Sequence, residues 1–228
     1  FISTSIEQDF KITTFTNMKN VLVAGANGTT GRKIVNLLKD SSDYQPFAMI
    51  RKEDQTKHFA DLGIETVIGD LEKDISHVTN GIDKVIFAAG SGGEKVRTVD
   101  QEGAIKLIDE CKEARIEKFV MLSSMGADEP EEADELQEYL EAKHNADIYL
   151  EGSGLVYTIV RPGKLTDEGG LKYIELRKHF DSIGEISRSD VAEVLVKCLD
   201  DQVGRCVSFE IVKGDTPIKQ ALDQITVS

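Results

Sequence analysis

Tyr139 and Lys143 form a pair that could move a proton together. They fall in a stretch from Glu135 to Glu151 whose pattern predicts a helix. One helical turn separates them, so both side chains would project from the same face. A neighbouring ammonium stabilises a phenolate, which makes such a tyrosine a usable proton donor or acceptor near neutral pH. The same spacing also occurs by chance in solvated helices, so the pair by itself indicates a candidate acid–base site and no more.

A glycine-rich segment directly follows the short apolar run Val21 to Ala24. Its three glycines, in Gly-x-x-Gly-x-x-Gly spacing, would permit a tight turn, let the backbone approach a pyrophosphate, and allow the next helix to pack closely. Amide groups at the N-terminus of that helix would then face the phosphates. The segment therefore predicts a dinucleotide-binding loop, with a merely tight turn as the alternative. The residues assigned to the loop are Gly25, Asn27, Gly28, Thr29, Thr30 and Gly31.

The end of the second predicted strand, Phe47 to Ile50, bears on which dinucleotide is bound. A site that prefers NAD usually carries an acidic residue about 20 residues beyond the glycines, where it binds the ribose 2′-hydroxyl. Here the strand ends in Arg51 and Lys52. Arg51 can pair with a 2′-phosphate and lie against adenine, and Arg32 adds positive charge beside the loop. We therefore expect NADP, with NAD possible; ordinary surface cations are the alternative interpretation.

Short apolar runs rich in Val and Ile alternate with longer amphipathic stretches along the chain. The runs are continuous, which is typical of strands buried on both faces of a parallel sheet. The predicted fold class is therefore α/β, a doubly wound Rossmann fold with a mostly parallel sheet, in a single domain over residues 18–228. The predicted strands are Val21 to Ala24, Phe47 to Ile50, Glu65 to Ile68, Lys84 to Ala89, Phe119 to Leu122, Tyr157 to Val160 and Val207 to Val212. The predicted helices are Gly31 to Lys39, Gln55 to Leu62, Val99 to Ala114, Glu135 to Glu151 and Ser189 to Leu199.

One segment, Leu165 to Ser187, departs from this alternation. It contains Gly169, Gly170 and Gly184, and its stretch from Leu171 to Arg177 partly alternates with period two. We predict a small inserted β-hairpin near the carboxyl edge of the sheet. It would be either an edge decoration without function or a flap over a substrate pocket.

Composition and charge argue against several classes of function. The chain has 228 residues, 40% hydrophobic and 30% charged, which indicates a globular protein, and no apolar run approaches the roughly 20 residues of a membrane span. The formal net charge of −14 argues against nucleic-acid binding. Three separated cysteines and four histidines without paired ligand spacing predict neither disulfides nor a metal site, and favour a cytoplasmic setting. We expect residues 1–17 to be a poorly ordered extension, with Met18 close to the natural start.

In their order and spacing, the motifs resemble the short-chain dehydrogenase/reductase family, specifically its atypical single-domain members. The resemblance covers Met18 to Ile225. It is carried by Gly25 to Gly31, Gly69 to Leu71, Phe87 to Gly90, Leu122 to Ser124, Tyr139 to Lys143, and Thr158 to Gly163.

This resemblance implies Ser–Tyr–Lys chemistry. Tyr139 would exchange the proton, Lys143 would tune it and bind the nicotinamide ribose, and Ser124 would polarise the substrate carbonyl. Ser123 stays open as the alternative, because adjacent strand residues point to opposite faces and one of the two serines is expected to reach the substrate. The other implied cofactor contacts are Asp70 and Leu71 at the adenine, Ala88, Ala89 and Gly90 at its ribose, and Pro162 and Gly163 at the nicotinamide.

The implied function is an NADP-dependent oxidoreductase that transfers a hydride between nicotinamide and a small carbonyl or similar acceptor. Two alternatives stay open: a non-catalytic dinucleotide-binding redox sensor, similar to nitrogen-metabolite-repressor relatives, and a flavin or biliverdin reductase-like enzyme. Eight carboxylates lie between Asp128 and Glu141. Three interpretations of them stay open: they form a solvated lid, they disfavour anionic substrates, or they indicate that the substrate pocket is degraded. The short segment after Gly163 leaves little room for a nucleotide sugar. We expect a small-molecule substrate, neither nucleic acid nor membrane as partner, and a monomer or small homo-oligomer.

Overall fold

The computed structural model describes residues 18–132 and 136–226. The predicted extension over residues 1–17 and the predicted helix start at Glu135 lie outside the described residues. The described strands are β1 Lys19–Ala24, β2 Tyr44–Ile50, β3 Glu65–Ile68, β4 Lys84–Phe87, β5 Lys118–Leu122, β6 Tyr157–Pro162, β7 Lys164–Thr166, β8 Tyr173–Arg177, β9 Glu185–Ser187, β10 Val207–Lys213 and β11 Thr216–Pro217. The described α-helices are α1 Thr29–Lys39, α2 Thr56–Ala60, α3 Glu102–Glu113, α4 Gln137–Glu151, α5 Arg188–Lys197 and α6 Ile218–Asp223, and a π-helical turn, Val96–Gln101, leads into α3. Among these described helices, none is long and apolar enough to cross a membrane.

Nine strands form one sheet in the spatial order β11-β8-β10-β6-β5-β4-β1-β2-β3. All pairings described in this sheet are parallel except the two made by β8, which is antiparallel to β10 and to β11. The chain order reverses beside β1, with β2 on one side and β4 on the other. That reversal is the switch point at which doubly wound folds bind ligands. The predicted Rossmann fold is confirmed.

Helices cover both faces of the sheet and enclose two apolar cores. Leu38 of α1 and Val191 of α5 belong to one core, whereas Leu107 of α3 and Leu150 of α4 belong to the other. β4 and β5 are buried along their whole length, which explains why their apolar runs are continuous. Each large side chain buried in this way stabilises the fold by about 1.5–3 kcal/mol. The two cores hold the carboxyl ends of β1, β4 and β5 in fixed positions.

The predicted hairpin over Leu165 to Ser187 is wrong. The alternating stretch does form a strand, β8, but this strand pairs antiparallel with β10. β7 and β9, at the two ends of the segment, pair with each other in parallel in a separate two-stranded sheet. Period-two alternation predicts an extended segment with one buried face but does not specify its partner. Here the exposed edge of β10 provides that partner, so the segment extends the main sheet.

Gly31 allows α1 to lie directly against the turn after β1. A Cβ at Gly31 would lie 2.1 Å from the carbonyl oxygen of Gly25 and 2.9 Å from the Cα of Ala26, and both are backbone atoms. We expect Gly31→Ala to lower the free energy of unfolding by roughly 1–3 kcal/mol, the usual cost of overpacking. Urea denaturation measures this change. Gly169→Ala is the control, because no atom of the described residues lies within 4 Å of a Cβ at Gly169; equal stability of the two variants would contradict the close packing.

Candidate active site

A cavity of about 330 Å³ opens beside the switch point of the sheet. Four connections build its wall: the glycine loop after β1, the turn after β2, and the segments that follow β3 and β4. All four come from the carboxyl ends of parallel strands, which meet at one edge of the sheet. The cavity therefore lies where a doubly wound fold is expected to hold a dinucleotide.

The glycine loop meets the cavity with its backbone. Gly25 has a φ of +83°, a conformation that favours glycine, and a Cβ there would lie 2.6 Å from the carbonyl oxygen of Ala88. The N–H of Gly28 donates to the carbonyl oxygen of Gly25 at 2.9 Å and closes the turn. Helix α1 then begins at Thr29 without a side-chain cap from the described residues. The N–H groups of its first turn are therefore available to an anion.

Open space in front of the loop fits a pyrophosphate. Gly28 is exposed, and a Cβ at this position would have one neighbour within 4 Å among the described residues, the carbonyl oxygen of Gly25 at 3.2 Å. Arg32 holds the loop from the helix side, since its guanidinium donates to the backbone oxygen of Asn27 at 3.1 Å and to its Oδ1 at 2.6 Å. The arrangement offers backbone donors and positive charge to a bound phosphate.

The turn after β2 presents Arg51 to the cavity. The side chain is exposed and lines the wall. Gln55 shapes the turn, because its Oε1 accepts the backbone N–H of Arg51 at 3.0 Å and that of Lys52 at 3.3 Å. An arginine therefore lies at the strand end where an acidic residue would bind the 2′-hydroxyl of NAD.

The segments after β3 and β4 are tied to each other along another wall of the cavity. Asp70 is half-buried, and its Oδ1 accepts the N–H of Glu72 at 3.1 Å. Glu72 in turn accepts hydrogen bonds from the ammonium of Lys95 and from the hydroxyl of Thr98. These contacts join the connection after β3 to the connection after β4, which appear as separate motifs in the sequence. Asp70 and Lys95 both line the cavity.

Helix α4 carries the predicted acid–base pair. Lys143 Nζ lies 5.7 Å from the ring centroid of Tyr139. The ammonium is buried; it is 3.6 Å from Asp100 Oδ1 and donates to the carbonyl oxygen of Leu122 at 3.3 Å. Asp100 is itself held by Ser91, whose N–H and hydroxyl donate to Oδ2 at 3.0 and 2.7 Å. The ammonium is thus fixed between a tyrosine ring and a buried carboxylate that sequence reasoning missed.

The two serines after β5 have different surroundings. Ser123 is buried, and its hydroxyl donates to Asp147 Oδ2 at 2.8 Å, the same oxygen that accepts a hydrogen bond from Arg161 Nε at 3.0 Å. Burial raises the pKa of Asp147, and Arg161 opposes that rise. Ser124 is half-buried, and its hydroxyl makes a longer contact, 3.3 Å, to the carbonyl oxygen of Met125. Ser124 is therefore the less engaged of the two hydroxyls.

The cavity brings together more than half of the predicted cofactor residues. Those that line it are Gly25, Asn27, Gly28, Arg51, Asp70, Leu71, Ala88, Ala89 and Gly90. The predicted residues outside its wall are Thr29, Thr30, Gly31, Lys52, Lys143, Pro162 and Gly163 in the cofactor set, and Ser124 and Tyr139 in the catalytic set. Their roles stay predictions.

Sequence reasoning missed several residues of the wall. These are Met49, Ile50, Gln55, Gly69, Ser91, Glu94, Lys95 and Val99. Three of them directly adjoin predicted residues, so extending each motif by one or two positions would have included them. A further signal was present in Gly92 and Gly93, which follow a predicted strand and have positive φ angles of +66° and +93°. Such a glycine pair at a strand's carboxyl end indicates a turn at the site edge.

A family model described as NAD(P)H-binding matches residues 25–202. That range contains the glycine loop, the complete cavity wall and helix α4. The chain belongs to this NAD(P)H-binding family. A nicotinamide dinucleotide is accordingly its cofactor, in agreement with the backbone donors and open space at the loop.

Three similar proteins cover nearly the whole chain. The uncharacterized sugar epimerase YhfK of Bacillus subtilis (strain 168) is 40% identical over 213 residues, 90% of this chain and 99% of YhfK. A solved structure from Bacillus halodurans, provisionally named an NAD-dependent epimerase/dehydratase, is 39% identical with a TM-score of 0.87 over 90% of this chain and 99% of that chain. The oxidoreductase ylbE from Lactococcus lactis is 29% identical with a TM-score of 0.82, over 90% and 96%. This NAD(P)H-binding protein thus has an oxidoreductase-like fold, and its resemblance to atypical short-chain dehydrogenase/reductase proteins is confirmed.

Proposed function

We propose that this NAD(P)H-binding protein is an NADP-dependent oxidoreductase that reduces a small carbonyl or similar acceptor. The proposal depends on the pair on α4, in which the Lys143 ammonium lies 5.7 Å from the centroid of the Tyr139 ring and is anchored by Asp100. A protein that binds a dinucleotide without turnover does not need an ammonium beside a phenol. The oxidoreductase name of the Lactococcus relative supports the same class of reaction.

Each of three residues has a distinct part in the proposed reaction. When bound, the reduced cofactor supplies a hydride, two electrons and one hydrogen, to the carbonyl carbon. Tyr139 Oη gives its proton to the carbonyl oxygen, so the acceptor becomes an alcohol. Lys143 stabilises the phenolate that remains, and the Ser124 hydroxyl donates a hydrogen bond to the same carbonyl oxygen.

Consumption of NADPH across a panel of small aldehydes, ketones and flavins tests this function. We expect turnover of a carbonyl class, with one alcohol formed for each NADPH consumed. Reduction of free flavin without carbonyl turnover would instead favour a flavin reductase-like enzyme. Tight NADPH binding without turnover of any acceptor would favour a sensor.

Arg51 is proposed to select NADP over NAD. Its guanidinium can form a charge-assisted contact with the 2′-phosphate, which NADH lacks. Such contacts contribute roughly 1.5–3 kcal/mol, so Arg51→Ala should weaken NADPH binding by about 10- to 100-fold and leave NADH binding nearly unchanged. Isothermal titration calorimetry with each cofactor measures both affinities.

Arg205→Ala is the matched control for Arg51→Ala. Arg205 is also exposed, but it precedes β10 and so lies at the opposite edge of the parallel sheet. Its removal should change neither affinity. Equal NADPH and NADH affinities in the unchanged protein, or equal losses of both in Arg51→Ala, would contradict selection through the 2′-phosphate.

The proposed substrate is small. In the described part of the chain, the residues after Gly163 complete the main sheet through β8, β10 and β11, and they form no separate substrate domain. The carboxyl end of β6 is followed by the two-stranded sheet of β7 and β9, and we infer that this small layer encloses a small acceptor and not a nucleotide sugar. For this reason the proposal does not extend the sugar-epimerase name of YhfK to this chain.

A dinucleotide-binding redox sensor is the second candidate function. It is favoured by the burial of Lys143, whose side chain is 4% exposed and is paired with Asp100. Little of the ammonium is accessible to a ribose hydroxyl in this arrangement. In a sensor, the pair would stabilise α4 against the π-helical turn and take no part in proton transfer.

A further inference from the structure

Away from the dinucleotide cavity, charged side chains from four neighbouring strands and the segments that follow them gather in one place. Asp128 follows β5, Arg161 lies in β6, Glu210 lies in β10 and His179 follows β8, and these strands are consecutive in the sheet. The pairing of β6 with β10 sets Arg161 opposite Glu210. Asp147 on α4 contacts Arg161 from the helix layer. The sheet order therefore brings together residues that are far apart in sequence.

This group contains more negative than positive charge. Asp128, Asp147 and Glu210 are three carboxylates. Arg161 supplies one guanidinium, whose Nε is 3.0 Å from Asp147 Oδ2 and whose Nη1 is 3.6 Å from Asp128 Oδ2. With the carboxylates ionised and His179 neutral, the formal charge of the group is −2. Buried carboxylates cost free energy unless cations or hydrogen-bond donors compensate them.

All three carboxylates are incompletely satisfied, since Asp147 Oδ1 is also buried without a hydrogen-bond partner among the described residues. Glu210 is fully buried; its Oε2 accepts the N–H of Phe180 at 2.7 Å, whereas its Oε1 has no hydrogen-bond partner among the described residues. Asp128 Oδ1 is buried and unpartnered within the same part of the chain. His179 Nδ1 lies 3.3 Å from Asp128 Oδ2 and 4.0 Å from Glu210 Oε1. An imidazole nitrogen and an unpartnered buried oxygen therefore face the same small space.

We propose that Asp128, His179 and Glu210 bind one divalent transition-metal ion of the zinc class. One ligand atom from each residue lies within 4.8 Å of the other two. Tetrahedral Zn²⁺ lies about 2.0–2.2 Å from its ligands, so two ligand atoms are roughly 3.4 Å apart. The 3.3 Å between His179 Nδ1 and Asp128 Oδ2 already matches this spacing, whereas the 4.0 Å between His179 Nδ1 and Glu210 Oε1 must shorten by roughly 0.6 Å. The mixed nitrogen and oxygen donors favour zinc over Mg²⁺ or Ca²⁺, which prefer oxygen. A divalent ion also brings the formal charge of the group to zero.

The ion joins the segment after β8 to the connection after β5. His179 belongs to the segment after β8, and Asp128 belongs to the connection after β5. Arg161, which contacts Asp128, directly precedes Pro162 and Gly163, the predicted nicotinamide contacts. Three protein ligands leave a fourth position for water. The ion thus fixes the surface beside these predicted nicotinamide contacts, an inference that rests on the proposed function. Sequence analysis predicted no metal because the ligands come from three segments that share no ligand spacing.

Equilibrium dialysis of the untagged full chain against ZnCl₂ tests the proposal. We expect one zinc ion per chain in the unchanged protein, and binding weaker by roughly 10-fold or more in His179→Ala. His179 is exposed, so this variant should fold normally. His58→Ala is the matched control, because His58 is also exposed but lies on α2; it should bind zinc like the unchanged protein.

Asp128→Asn and Glu210→Gln remove the anionic ligands while keeping side-chain shape. Both should weaken zinc binding, with circular dichroism used to select the variants that are folded. The proposal is overturned if the unchanged protein and His179→Ala bind the same amount of zinc. It is also overturned if His58→Ala loses zinc binding to the same degree as His179→Ala.

Discussion

Tyr139→Phe should lower turnover by about 100- to 10,000-fold, the usual contribution of a general acid or base. The substitution removes one hydroxyl and keeps the ring beside the Lys143 ammonium, so folding and NADPH affinity should change little. The lost hydroxyl is the proposed proton donor to the substrate carbonyl, an interaction made in the transition state. The loss should therefore appear in kcat as well as in kcat/KM. Steady-state kinetics with an active carbonyl substrate measures it.

Two further variants complete this test. Tyr173→Phe is the control, because Tyr173 is exposed on β8, in a different element from the candidate pair, and it should retain full turnover. Lys143→Ala should lose both turnover and some NADPH affinity, because the ammonium is proposed to serve the phenol and the ribose. That variant also leaves Asp100 buried without its cation, so its stability is measured in parallel. An unchanged rate in Tyr139→Phe would remove the Ser–Tyr–Lys mechanism and indicate solvent as the proton source.

Gly28→Val should weaken dinucleotide binding by roughly 100-fold or more, equivalent to about 2.7 kcal/mol, while the fold persists. Gly28 has φ −73° and ψ 166°, an extended conformation that valine adopts readily. The added side chain would enter the space in front of the loop where the pyrophosphate is expected. Calorimetry with NADPH measures the affinity, and thermal unfolding measures the stability.

The control for Gly28→Val is Gly169→Val, at an exposed glycine whose Cβ would have no neighbour within 4 Å in the part of the chain that the structure describes. It should bind NADPH normally. Gly31→Ala should have the opposite effect and lower the free energy of unfolding, because its added Cβ would meet backbone atoms. Normal NADPH binding by folded Gly28→Val would mean that the phosphate-binding loop lies elsewhere.

The fold was largely predictable because a strand that is buried on both faces of the sheet has a continuous apolar sequence. β4 and β5 are fully buried, and after an initial lysine each is a continuous apolar run. The glycine loop was recognisable for a similar reason, because Gly25 and Gly31 have no room for a Cβ and few other residue types could replace them. Local steric constraints and burial limit which residue types a short segment can contain, so they can be predicted from that segment alone.

Long-range partners were less predictable. The alternation in β8 indicated a strand, but its pairing with β10 depends on which sheet edge is free, and no local pattern encodes that. The Asp100–Lys143 pair joins residues 43 positions apart through the packing of the π-helical turn against α4. The contact of His179 with Asp128 spans 51 positions and depends on the same misassigned segment. These parts of the candidate site required the three-dimensional structure.

A crystal structure of the NADP⁺ complex tests the central claim most directly, through the distance from the nicotinamide C4 atom to Tyr139 Oη. We predict about 6 Å or less, because a carbonyl group must fit between the two atoms in reacting geometry. The same map should show the pyrophosphate at the N-terminus of α1 and the 2′-phosphate at Arg51. A nicotinamide bound beyond the reach of Tyr139, with a carbonyl unable to contact both, would contradict the account.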